Sequence, residues 1–164
     1  GMASAIVDRR RDLPELLPAL TRVNVPVVVD HMGRMEHHHG TNHPGFQALL
    51  RGVGEGRLWS KLSGTYRLGA TTPDYAEARP FHDALVAANP QNLVWGTDWP
   101  HPRPEGPVPD AARLLKVFLD WTTSDGQQAI LVDNPDREIG CFGDGSGRPV
   151  SPRTEPFGCD PGMT

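Results

Sequence analysis

Hydrophobic positions fall into short continuous runs that alternate with longer segments of helical period. Residues 12–22, DLPELLPALTR, place Leu13, Leu16, Leu17 and Leu20 on one helical face. Asp12 is the expected N-cap, Pro14 suits the first turn, and Pro18 weakens or kinks the helix. The run VPVVVDH (25–31) has no polar face. A continuous β-branched run reads as a strand buried on both sides, as in a parallel sheet covered by helices. The pattern then repeats. HPGFQALLRGV (43–53) reads as helix, RLWSKLSG (57–64) as strand, PDYAEARPFHDALVAAN (73–89) as helix broken near Pro80, and NLVWGTD (92–98) as strand. PDAARLLKVFLDW (109–121) and SDGQQAILVDN (124–134) read as helices, the second stopped by Pro135. Lys61 lies 32 residues after Val29, and Trp95 lies 34 after Lys61. Each interval is one βα unit. The expected class is α/β, with three parallel strands and intervening helices, either part of a (β/α)8 barrel or a small open sheet.

Each predicted strand ends in polar chemistry. The first ends in Asp30-His31-Met32-Gly33-Arg34, the second in Lys61-Leu62-Ser63-Gly64-Thr65-Tyr66-Arg67, and the third in Gly96-Thr97-Asp98-Trp99-Pro100-His101. In parallel α/β folds the C-terminal strand ends share one face, where sites are built. His31, Arg67, Asp98 and His101 are therefore expected to converge, with Gly96 allowing a tight exit from the strand.

Each of these residues has two readings. Asp98 is a general base or a loop carboxylate bonded to backbone amides. His31 binds a metal or polarises a carbonyl, or it is a core histidine bonded to Asp30. Arg67 grips a carboxylate or makes a surface ion pair, and Arg34 has the same two readings. His101 is held in the rigid loop PHPRPEGPVP (100–109) or is simply exposed. The run HHHGTNH (37–43) reads as a surface loop whose histidines have no fixed geometry, with a metal-binding module as a third reading. Lys61 faces the sheet interior or snorkels outward. The four tryptophans, Trp59, Trp95, Trp99 and Trp121, are expected to pack.

The 164 residues are 37% hydrophobic with a net charge of −4. That suffices for a core and leaves no basic face for nucleic acid. No apolar run approaches the ~18 residues of a membrane span, and the start shows no signal peptide. Cys141 and Cys159 suggest neither zinc site nor disulfide scaffold, so a cytoplasmic setting is expected. Glycine and proline concentrate towards the C-terminus. Residues 138–164 are therefore expected to form a disordered tail behind a domain at 1–137.

Taken together, VPVVVDHMGR (25–34), HPGFQALL (43–50), LWSKLSGTYR (58–67), LVWGTDWPHP (93–102) and ILVDNP (130–135) resemble the amidohydrolase superfamily. The likeness is to its amidohydrolase-2 group, which includes the 2-pyrone-4,6-dicarboxylate lactonases. The resemblance implies a hydrolase on a distorted (β/α)8 TIM-like barrel, incomplete as given, of which these are the last three βα units. It implies Asp98 as the base for the hydrolytic water and His31 as the group polarising the scissile carbonyl. Arg67, His101, Tyr66 and Arg34 would contact a small anionic substrate. No cofactor is needed if the chain is lactonase-like. In metal-dependent relatives Asp98 and His31 would hold a divalent ion such as zinc. The sequence departs from the family in lacking a His-X-His pair before His31 and in its ending after about Asp136. Alternatives are an inactive half-barrel fragment, a homodimer that completes the barrel, or a metal-dependent amidohydrolase or decarboxylase.

Overall fold

The computed structural model describes residues 3–5, 13–20, 22, 26–102, 104 and 106–139. Four strands form one parallel sheet in chain order: β1 (Ala3–Ala5), β2 (Val27–Val29), β3 (Trp59–Leu62) and β4 (Leu93–Trp95). The hydrophobic pattern predicts three of them. The fourth, β1, is Ala-Ser-Ala, too short and too weakly apolar to register as a strand, and it pairs Ala3 with Val27 and Ala5 with Val29. Helices α1 (Leu13–Leu20), α2 (Pro44–Gly54) and α3 (Arg79–Ala88) lie between successive strands. After β4 come α4 (Ala111–Trp121), α5 (Ser124–Gln128) and α6 (Asn134–Ile139). None of the described helices is long and apolar enough to cross a membrane.

Strand alternation divides the buried residues between two faces. Val27, Val29, Leu58, Leu62 and Leu93 join the main core with Phe46, Leu49, Phe81, Leu85 and Phe118 from the helices. Val28, Trp59 and Val94 form a separate buried cluster. The valine run is thus buried on both faces, as its composition predicts. Helix α1 departs from expectation: Leu20 packs on the core, but Leu16 is exposed. The cap expected at Asp12 and the glycine- and proline-rich tail beyond Ile139 lie outside the described residues.

Two prolines behave differently from their sequence reading. Pro80 does not break a helix; it sits in the first turn of α3, where its missing N–H has no helical partner to lose. Pro135 does not stop the last helix. A π-helical turn, Ala129–Asp133, precedes it, and the Asn134 N–H donates to Ala129 O, five residues back. The wider turn lets the helix resume across a residue with no donor. The buried Asn134 side chain then donates to Pro90 O at 2.8 Å and Leu93 O at 2.7 Å, tying α6 to the start of β4.

Candidate active site

The chain leaves each of β2, β3 and β4 through a tight polar turn. A 3-10 turn at His31–Arg34 follows β2, and another at Thr65–Leu68, capped by Gly64, follows β3. Among the described residues, six non-glycine residues have left-handed φ, and four of them are candidate residues: His31 (53°), Arg34 (50°), Asp98 (64°) and His101 (56°). Such conformations cost about 1–3 kcal/mol each and persist where the surroundings over-determine them. The exit from β4 is made by Asp98 itself; Gly96, expected to provide it, is not left-handed.

The side chains converge on Asp98. Its Oδ2 accepts hydrogen bonds from the Tyr66 hydroxyl and from Arg67 Nε, the latter at 2.5 Å. Arg67 Nη2 also donates to Pro102 O at 3.0 Å, fixing the guanidinium against the loop after β4. Asp98 Oδ1 faces His31 Nε2 at 3.6 Å. That is beyond direct hydrogen-bond range, and a small polar group seated beside the pair could engage both. On the far side of the His31 ring, Nδ1 contacts Ser63 Oγ at 2.8 Å. The buried His101 lies edge-on to Tyr66, its Nδ1 3.4 Å from the hydroxyl.

These contacts assign the protons. Tyr66 has one hydroxyl hydrogen, and it goes to Asp98. His101 Nδ1 therefore faces the Tyr66 oxygen rather than its hydrogen. For His31 the favourable tautomer accepts from Ser63 at Nδ1 and points Nε2–H towards Asp98. Burial raises the Tyr66 phenol, reinforced by Asp98, so Tyr66 stays a donor. Burial lowers His31 more than Asp98 and Asp30 raise it. Burial would push the Asp98 carboxyl up, but the hydrogen bonds of Tyr66 and Arg67, with the charges of His31 and Arg67, outweigh it and hold it below its ordinary value.

The signs give a testable pH dependence. His31 and the buried His82 both have folded pKa values below the ordinary 6.5, so the unfolded chain protonates first. Their contribution is complete above 6.5 and is lost as pH falls from there through the folded values. Asp98, lowered from 3.8, contributes above 3.8 and is lost as pH falls through its folded value. Urea unfolding from pH 8 to pH 3 is expected to show stability falling first below about 6.5, with a further loss in strong acid.

Gly64 holds the cluster together. It has φ 61°, and an added Cβ would lie 3.0 Å from His31 Nδ1 and 3.1 Å from Arg67 Cδ. The left-handed conformation alone costs a non-glycine residue roughly 1–2 kcal/mol. Gly64→Ala is therefore expected to lower unfolding free energy by about 2 kcal/mol and to displace both side chains. Urea denaturation measures the first effect.

Other candidates fall elsewhere. Asp30 does not hold His31; it pairs with Lys61, Nζ to Oδ1 at 2.6 Å. Arg67 makes an ion pair, but a buried one with Asp98 rather than a surface one. Arg34 is half-buried at the end of the His31 turn. Trp59 is buried as expected, whereas Trp99 is 77% exposed because the turn at Asp98 throws it outward onto the rim. Ser63, which orients His31, was not singled out in the sequence; its signal was its place one residue beyond the end of β3.

A divalent ion needs several converging His, Cys, Asp or Glu donors. At Asp98 one carboxylate oxygen is taken by a guanidinium and a phenol, and among the described residues only His31 faces the other. Among the described residues, the one group of three converging metal donors lies elsewhere, at Glu36, His38 and His39. The described residues around Asp98 thus do not by themselves fit a held metal ion.

The strand ends of this parallel α/β sheet thus gather an aspartate, two histidines, a tyrosine and an arginine. The chain belongs to the Amidohydrolase family, in its amidohydrolase-2 form, which it matches over residues 6–138. It is 38% identical over 136 residues to a 2-pyrone-4,6-dicarboxylate hydrolase of Comamonas testosteroni, covering 77% of this chain and 45% of the relative. It is 34% identical over 128 residues to a 4-sulfomuconolactone hydrolase of Hydrogenophaga intermedia, covering 76% and 42%. The chain thus spans less than half the length of these two relatives. A solved structure of a putative 2-pyrone-4,6-dicarboxylic acid hydrolase from Pseudomonas putida, 35% identical, superposes with a TM-score of 0.69 over 80% of this chain and 49% of that one. A more distant amidohydrolase from Burkholderia multivorans with bound zinc, 19% identical, shares the fold at a TM-score of 0.66 over 84% of this chain and 51% of that one.

Proposed function

We propose that this chain hydrolyses the ring ester of a carboxylate-bearing lactone, using water activated by Asp98. The observation that carries this reading is the division of labour between the two Asp98 oxygens. Oδ2 is anchored by Tyr66 and Arg67, while Oδ1 faces His31 across a gap of 3.6 Å. A water bonded to Oδ1 beside His31 would give its proton to Oδ1 as its oxygen attacks the lactone carbonyl. The oxyanion that forms would face His31 Nε2–H, a donor aimed at developing charge. Collapse breaks the ring C–O bond, and the leaving oxygen takes the proton back from Asp98. Lactone and water are consumed, and the ring-opened acid is formed.

The anionic class of substrate follows from Arg67. Nε and one Nη2 hydrogen are engaged, and a guanidinium carries five donors, so others remain for a substrate carboxylate. Such a substrate would also offset the positive charge that depresses Asp98, making it a stronger base once substrate is bound. Both curated relatives are named for lactones that carry acidic groups. We also infer that the four-stranded sheet is part of a (β/α)8 barrel, whose active sites lie at the C-terminal strand ends.

A substrate comparison tests the class. Turnover of 2-pyrone-4,6-dicarboxylate and of unsubstituted 2-pyrone is followed by loss of pyrone absorbance. Two charge-assisted hydrogen bonds at roughly 1.5 kcal/mol each predict a kcat/KM ratio of about 100 in favour of the dicarboxylate. Equal turnover of both, or turnover of the neutral pyrone alone, would count against the anionic reading.

A further inference from the structure

The loop between β2 and α2 carries three donors that converge away from Asp98. Glu36 directly precedes a 3-10 turn at His37–His39, and the Gly40 N–H closes that turn on His37 O. The turn supplies the fixed geometry that adjacent histidines on an irregular loop would lack. One carboxylate oxygen of Glu36 and one ring nitrogen each of His38 and His39 lie within 4.8 Å of one another. His38 Nδ1 stands 3.4 Å from Glu36 Oε2. Neighbouring ligands of a tetrahedral zinc ion with bonds of 2.0–2.1 Å are also about 3.4 Å apart. The His38 and His39 rings are tilted with centroids 4.1 Å apart.

Two neighbours stand outside the trio. His37 contributes no atom to it. His43 lends its Nδ1 to the Gly45 N–H as the N-cap of α2. Two imidazoles and one carboxylate, with no thiolate, suit zinc better than magnesium or calcium, which take oxygen ligands. We infer that Glu36, His38 and His39 form a surface zinc site, its remaining position filled by water, that pins the loop leading away from the His31 turn.

Isothermal titration of the metal-stripped, tag-free chain with zinc chloride at neutral pH tests this. The expected result is a single zinc per chain. His38→Ala and His39→Ala should each weaken binding at least about tenfold, the smallest loss typical even of outer-shell changes at metal sites. His37→Ala and Asp98→Asn should leave it unchanged. His38 and His39 are exposed, so these variants keep the core intact. Absence of binding, a loss in His37→Ala equal to that in His38→Ala, or a loss in Asp98→Asn would each overturn the assignment.

Discussion

Replacing Asp98 with asparagine is expected to cut lactone turnover about 100- to 10,000-fold, the range a positioned general base contributes. The amide is nearly isosteric, and asparagine tolerates the left-handed backbone at φ 64° as well as aspartate does. Its carbonyl oxygen still accepts from Tyr66 and Arg67. What disappears is the free anionic oxygen opposite His31. Urea unfolding of the variant should therefore remain cooperative while turnover collapses. A variant that unfolds without losing specific activity per folded molecule would assign Asp98 a structural role instead.

The second large effect concerns Arg67. Its side chain is 9% exposed and that of Asp98 is 11% exposed, so the pair is well shielded from water. Removing one partner of a buried ion pair typically costs about 3–5 kcal/mol, because the other charge stays buried without compensation. Tyr66 still donates to the carboxylate and His31 still faces it, so Arg67→Met is expected near the lower end, about 3 kcal/mol at pH 7. The guanidinium also stacks over the Tyr66 ring at 5.1 Å, and methionine keeps part of that apolar contact. As pH falls, Asp98 in the variant, freed from the guanidinium that helps hold it down, protonates before Asp98 in the intact pair, so the difference should shrink. Paired urea titrations at pH 7 and pH 3 measure both values. A difference that does not depend on pH would mean that packing, rather than charge, dominates at this position.

Much of this arrangement was legible because strand periodicity and topology are strong constraints. A β-branched run without a polar face has to be a doubly buried strand, and parallel strands have to present their C-terminal ends together. The convergence of His31, Arg67, Asp98 and His101 followed from those two facts, whereas Tyr66 was expected there only from the family resemblance. The direction each side chain takes did not. Asp98 was expected near the site, but that one oxygen would be anchored by Tyr66 and Arg67 depends on a left-handed turn no local pattern announces. The pairing of Asp30 with Lys61, which frees His31 for Ser63, is a cross-strand choice decided by register. β1 was missed because three small residues carry little hydrophobic signal, and their strand character comes from pairing with β2. Pro135 was misread because a π turn can absorb a missing donor, an option that sequence rules for proline do not include.

We propose that Asp98 and its neighbours form a hydrolytic centre that activates water without a held metal. The most direct measurement of this is turnover of 2-pyrone-4,6-dicarboxylate by the purified chain, with and without EDTA, read by ultraviolet absorbance. The predicted result is saturable hydrolysis at the same rate in both. A folded chain that shows no turnover, or turnover that EDTA abolishes and added zinc restores, would contradict it.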